Sequence, residues 1–336
     1  MNVIRRYIAR SPIDPYLLML IGTVGLAFAL PARGAGLAVM NVVVYAAIAG
    51  LFFLYGARLS PAAILAGLTH WRLQAVVFLS TFALFPLVGL AVGALAGPHL
   101  PGDIVLGLVF LCTLPSTVQS SIAFTSIARG NVPAALCSAS LSNMAGVVVT
   151  PLIVSLISPA HAGLSASALS DIALQILLPF ALGQAARRWI GGWLSRHQVV
   201  TAVFDRGSIL LIVYAAFSAG MAAGVWKAVS LADLVAILAL DLAVLGLVIV
   251  ATTVASRRLG FSREDEIAIV FCGSKKSLAS GVPMANILFP GHAIGLIVLP
   301  LMIFHQAQLF VCATLARRYA SRAEAAASTR ADQQAA

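Results

Sequence analysis

Charge is what this sequence has least of. Only 10 % of its 336 residues are Asp, Glu, Lys or Arg, against about 25 % in an ordinary soluble domain. Hydrophobic residues make up 61 %, and the mean hydropathy is +1.01. A water-soluble globule cannot hide that much apolar surface, so that class is excluded. The net charge of +10 does not indicate a nucleic-acid partner, because the cations are spread thinly between apolar blocks. Cysteine is also scarce. Cys112, Cys137, Cys272 and Cys312 each stand alone in an apolar block, which excludes a CxxC redox pair, a zinc spacing and a secreted disulfide scaffold. HExxH, GxSxG and a Ser/His/Asp set at one depth are all missing, so the sequence does not read as an intramembrane enzyme and implies no conventional cofactor.

What is present is a series of long apolar blocks. A membrane helix needs about 20 mostly apolar residues, and ten blocks meet that length, near 15–30, 37–55, 73–96, 104–128, 132–157, 166–186, 207–225, 231–255, 265–289 and 293–316. Short polar or Pro/Gly-rich connections separate them. The expected fold is an all-α polytopic membrane protein of ten transmembrane helices in the lipid bilayer, with residues 323–336 as a disordered cytoplasmic tail. Basic residues orient it. Arg5, Arg6 and Arg10, then Arg58 and Arg72, Arg129, Arg187 through Arg206, Arg257 through Arg263, and Arg317, Arg318, Arg322 and Arg330 place 17 of the 21 Lys and Arg on one side. The positive-inside rule makes that side, and both termini, cytoplasmic; a bacterial chain would then sit in the inner membrane. A second reading takes Arg5–Arg10, the first apolar block and Ala27-Phe28-Ala29 as a signal peptide.

Ten spans divide at 158–165 into two sets of five, residues 1–160 and 161–322. An odd number per half inverts the second half in the membrane, the inverted-repeat plan of many secondary transporters. Internal similarity fits this register: Thr81–Pro86 resembles Asp241–Gly246, and Ser121-Ile-Ala resembles Ser277-Leu-Ala. The fourth span carries Leu114-Pro115-Ser116-Thr117-Val118-Gln119-Ser120-Ser121, and the ninth Gly273-Ser274-Lys275-Lys276-Ser277 followed by Gly281 and Pro283. Proline removes a backbone donor and glycine permits unwinding. Interrupted, hydroxyl-rich helices at matching places in two halves point to a midplane binding site.

Lys275 and Lys276 lie about ten residues beyond Glu264-Asp265-Glu266, hence about 15 Å into the span. A lysine at the middle of a membrane helix costs about 2.5–3.5 kcal/mol on insertion scales. Asp241, buried within the eighth span, is a candidate partner for either lysine, which leaves the other for an anionic substrate or a proton. Asn143, in the fifth span, is the polar residue favoured beside the broken fourth. His305, Gln306 and Gln308 in the tenth could line a cavity or bridge neighbouring helices.

The run Phe271–Ala285 (Phe-Cys-Gly-Ser-Lys-Lys-Ser-Leu-Ala-Ser-Gly-Val-Pro-Met-Ala) resembles the ninth-helix signature of the SBF-like branch of the bile acid:sodium symporter superfamily. Phe52–Leu59, Val213–Phe217 and His305–Leu309 support the resemblance, and Ala128–Asn131 with Thr150-Pro151 matches the wider superfamily. It implies inverted repeats divided into panel and core domains, with the fourth and ninth helices unwound and crossing in the core around the sodium and substrate sites. By position, Ser120 and Ser121 match a sodium-binding pair, and Thr81 falls at a glutamine of the third helix. Ala135 and Ala139 replace hydroxyl ligands, and a Glu-x-Gly-x-Gln pattern becomes Phe271, Gly273 and Lys275. Without the glutamate, and with an ammonium nearby, a hard cation loses its ligands. Either a lysine acts as a tethered cation, with a proton as coupling ion, or coupling is absent. The leading expectation is a secondary transporter of a small organic anion working by alternating access. The second, which rests on the vertebrate branch member linked to calcium homeostasis, is a regulator that retains the transporter fold.

Overall fold

The structure, a computed structural model, describes residues 15–32, 35–58, 70–157 and 173–335. Arg5, Arg6, Arg10, Arg33 and the 158–165 connection with His161 lie outside the described residues. Among the described residues every regular element is helical: α1 (Pro15–Ala29), α2 (Ala35–Arg58), α3 (Trp71–Leu79), a π turn (Ser80–Leu84), α4 (Phe85–Ala96), α5 (Gly102–Thr113), α6 (Gln119–Ile127) and α7 (Val132–Ile157). After a second π turn (Ala173–Leu177) come α8 (Leu178–Arg196), α9 (Gln198–Ala223), α10 (Leu231–Arg258), α11 (Arg263–Gly273), α12 (Leu278–Leu288) and α13 (Ile294–Ala335).

Among the described residues, six helical stretches are long and apolar enough to cross a membrane: Gly36–Arg58, Trp71–Ala96, Val132–Ile157, Gln198–Ala222, Leu231–Arg258 and Ile294–Arg322. Their outer faces expose Leu87, Leu95, Leu156, Val203 and Leu231. Apolar surface on that scale is stable in lipid, not in water. The fourth and ninth apolar blocks are each two shorter helices, α5/α6 and α11/α12, as the Pro/Gly/Ser pattern predicts.

The chain differs from expectation in two places. The basic stretch Arg187–Arg206 is helical, interrupted at His197 between α8 and α9, so the seventh block's helix starts at Gln198 rather than near 207. Hydropathy registers only where apolar residues end, whereas arginine and glutamine propagate a helix well. The second difference is the tail, where α13 continues through Ala335 over residues expected to be disordered. Alanine has the highest helix propensity of any residue, and this tail is rich in it.

Two compact units form, and each takes segments from both halves of the sequence. The first comprises Met1–Arg58, Leu164–Val229 and Val282–Val298. Within it α2 and α8 touch backbone to backbone. A Cβ on Gly56 would lie 2.0 Å from the Phe180 carbonyl oxygen, and one on Gly183 would lie 1.9 Å from that of Phe53. Close approach through small residues is how membrane helices gain packing without a hydrophobic driving force. The Trp226 ring stacks on Phe217 at 4.6 Å, and Arg58 is paired with Asp205.

The second unit comprises Leu59–Gly163, Ser230–Gly281 and Leu299–Ala336, and it contains both helix breaks. One end of α11 is anchored firmly. Ser262 caps it by accepting from the Asp265 N–H. Glu266 accepts two bonds from Arg257 and one from the Tyr319 hydroxyl. Asn131 donates to the Asp265 carboxylate at 2.7 Å, just past Arg129, whose φ of 61° is left-handed. With that end fixed, the half-helix directs its other end, Gly273, into the interior.

Candidate functional site

The two breaks meet. The fourth block unwinds over Leu114–Val118 and the ninth over Ser274–Ser277, and the Ser277 N–H donates to the Pro115 carbonyl at 2.9 Å. Unwound backbone at membrane depth must be satisfied by protein or by water in a cavity, and here neighbouring helices supply the partners. Ser142 Oγ, on α7, accepts from the Ser116 N–H at 3.0 Å. Asn143 Nδ2 donates to the Ser116 carbonyl at 2.7 Å, and its Oδ1 accepts from Ser280 Oγ at 2.9 Å. One α7 amide thus ties the fourth break to the first turn of α12. Ser277 caps that turn, its hydroxyl accepting from the Ser280 N–H at 3.2 Å. Packing is close as well: a Cβ on Gly146 would strike Pro115 at 2.7 Å, and one on Gly281 would strike Leu114 at 2.5 Å.

The ninth break is held by residues that hydropathy does not single out. Gln308 grips Lys276 through both main-chain groups, its Oε1 accepting from the Lys276 N–H at 2.9 Å and its Nε2 donating to the Lys276 carbonyl at 3.0 Å. The same Nε2 lies 2.9 Å from His305 Nδ1. Of the two roles open to Gln308, it takes the bridging one. Ser80 Oγ donates to the Gly273 carbonyl at 2.9 Å, and Ser274 Oγ turns back to Val270 at 2.6 Å.

The two adjacent lysines, both in the unwound stretch between α11 and α12, have different surroundings. Both are fully buried. Lys276 Nζ donates to the carbonyl oxygens of Thr81 at 2.9 Å, Cys112 at 2.9 Å and Leu114 at 2.7 Å, and lies 4.0 Å from the centre of the Phe85 ring. Lys275 Nζ has no hydrogen-bond partner. It rests over the Phe124 ring at 4.0 Å, with Phe271 at 5.5 Å, a cation–π setting.

Asp241 pairs with neither lysine. Its two oxygens are buried without a hydrogen bond, so the expected Asp241–lysine pair is not formed. Sequence gives depth along a helix but not which face meets which. The Lys276 ammonium is satisfied by carbonyls instead, a common resource for intramembrane cations.

Thr81 contributes its carbonyl, while its hydroxyl bonds back to Val77 at 2.8 Å. Ser121 donates to the Phe271 carbonyl at 2.9 Å, and Ser120 lies 2.7 Å from Thr117 Oγ1. These two hydroxyls, which match a sodium-binding pair by position, thus already have protein partners. Gln119, at the start of α6, is exposed. Ser80 carries no signal of its own in the sequence, and Ser116 only that of the fourth-span motif, because a serine in a small-residue helix has no sequence signature separating a bridge from packing. Among the described residues no cluster of His, Cys, Asp or Glu could hold a metal ion.

An all-helical integral membrane protein, with two interrupted helices meeting in its interior and lysines at the junction, has the architecture of a secondary transporter. The chain belongs to the SBF-like CPA transporter family, whose profile matches residues 14–321. Its relatives include an uncharacterised protein of Pseudomonas aeruginosa, 54 % identical over 95 % of this chain and 96 % of the relative. The Escherichia coli K12 protein YfeH, which bears the name of a candidate symporter, is 50 % identical over 93 % and 94 %. Sodium/bile acid cotransporter 7 of Rattus norvegicus is 29 % identical over 89 % of each chain.

Proposed function

We propose that the protein is a secondary transporter that carries a small organic anion by alternating access, with the substrate bound where the two breaks meet. In this reading the ten spans form two inverted repeats, residues 1–160 and 161–322, and both termini are cytoplasmic. The unit that contains both breaks acts as the core, and the other as the panel. Candidate substrate contacts are Lys275, Ser277, Ser120, Ser121, Gln119 and Asn143.

The observation that carries this reading is the difference between the two ammonium groups. Lys276 is saturated by carbonyls, whereas Lys275 is held by aromatic faces and keeps every N–H available. An ammonium held by a ring alone can be taken over by a carboxylate or sulfonate without breaking a hydrogen bond, at a place where low dielectric strengthens the pairing. Membership of a transporter family supports the same conclusion.

The test is a thermal-shift screen of the purified protein against organic anions, with and without sodium, at two pH values. A ligand at about 100 times its Kd stabilises the folded state by about 2.7 kcal/mol, which is readily detected. An anion that raises the midpoint of the wild type is expected to have no effect on Lys275→Met. That variant should keep a wild-type midpoint without ligand, since no hydrogen bond is lost. A full response in Lys275→Met would sink the assignment of Lys275, and a response to neutral solutes alone would sink the anionic substrate. Sodium dependence of the response would assign sodium as coupling ion, and a response that follows pH alone would assign the proton.

A further inference from the structure

We propose that the three carbonyl oxygens around Lys276 form a monovalent-cation site that the protein fills with its own side chain. The ligand set is that of an ion site: three main-chain oxygens converge on one nitrogen at 2.7–2.9 Å, with the Phe85 ring face on another side.

Each oxygen is freed for a separate reason. In a regular helix the Thr81 carbonyl would accept from the Phe85 N–H, but the π turn sends that N–H to Ser80 instead. The next donor in the π pattern would be residue 86, which is a proline and has none. The Cys112 carbonyl belongs to the last turn of α5, where helical partners run out. Its would-be donor, the Ser116 N–H, is taken by Ser142. The Leu114 carbonyl lies just beyond the helix, in extended backbone.

Among the described residues no carboxylate binds this nitrogen. The negative end of the α5 dipole and the carbonyl dipoles balance its charge. Carbonyl-only ligation suits a monovalent cation, and half-helix C-termini together with unwound carbonyls are how transporters hold such ions. Divalent ions call for anionic oxygens, which the cage lacks. With the ammonium tethered in place, the wild type needs no free sodium or potassium here.

Shortening the tether should therefore open the site. Lys276→Ala is purified in ammonium, potassium, sodium or choline chloride at equal ionic strength, and its thermal midpoint is measured in each. A rise of about 3 °C or more over choline in at least one of the three small cations is expected. The wild type should show the same midpoint in all four salts. Lys276→Met, whose side chain occupies the lysine's path, should gain nothing from any of them. A folded Lys276→Ala that is indifferent to the ions overturns the proposal. So does one that remains unfolded in every salt, since a free ion then cannot replace the tether. An equal rise in the wild type also overturns it, by placing the ion elsewhere. No anion or transport readout enters, so failure here leaves the reading of Lys275 untouched.

Discussion

Replacing Lys276 by methionine is expected to destabilise the protein by at least about 3 kcal/mol, while the same change at its neighbour Lys275 leaves stability within about 1 kcal/mol of the wild type. Three buried carbonyls lose their donor in Lys276→Met, and an unsatisfied buried acceptor costs about 1–3 kcal/mol. Packing adds little to the effect, because methionine fills most of the space of the lysine stem. In Lys275→Met no hydrogen bond is broken. What disappears is a cation–π contact of about 0.5–2 kcal/mol, offset by relief from burying a charge. Reversible unfolding in mixed micelles, followed by helical circular dichroism, would separate the two. Equal losses would mean that the carbonyl cage adds nothing beyond the generic effect of a buried ammonium.

A second large effect is expected at the contact between α2 and α8. Gly183→Ala should cost about 3 kcal/mol or more and sharply lower the yield of monodisperse protein. Overpacked cores lose about 1–3 kcal/mol, occasionally more, when a neighbouring side chain can move. Here the obstacle is main chain, since the new methyl would lie 1.9 Å from the Phe53 carbonyl oxygen and 3.0 Å from the Ala57 nitrogen. Gly56→Ala meets Phe180 and Gln184 in the same way, so the helices must separate in either variant. Gly207→Ala, in α9, is the control. Nothing lies within 4 Å of its Cβ position, and replacing a helical glycine by alanine gains up to about 1 kcal/mol. Comparable midpoints for Gly183→Ala and Gly207→Ala would show that α2 and α8 are not in backbone contact.

Much of the architecture is legible in the sequence because lipid imposes a simple rule. Apolar length marks a span, and Pro, Gly and Ser inside one mark a break. The fifth block, expected at 132–157, is helix Val132–Ile157, and both expected interruptions occur where the motifs lie. What hydropathy misses is direction around the helix axis. It brought Asp241 and the lysines to similar depth but could not show that their faces do not meet. Nor does it register a π turn: Ser80–Leu84 reads as five more residues of an apolar span, although the turn is what releases the Thr81 carbonyl. The group of Thr81 that meets the Lys276 ammonium is its main-chain carbonyl, which no side-chain pattern can mark. Gln308 is visible as a polar residue in a span, but its grip on an unwound peptide 32 residues away in sequence is a tertiary fact that no local pattern encodes.

The π turn also couples two positions that are distant along the chain. A proline at 86 leaves the Thr81 oxygen without a main-chain claimant, and a lysine at 276 takes it up. With any other residue at 86, an amide hydrogen would compete with the ammonium for that oxygen. With a short side chain such as alanine at 276, the oxygen would be left for an ion or a water. Aligned descendants of a common ancestor are therefore expected to gain or lose Pro86 and Lys276 together, and independent loss of either in a family alignment would break the link.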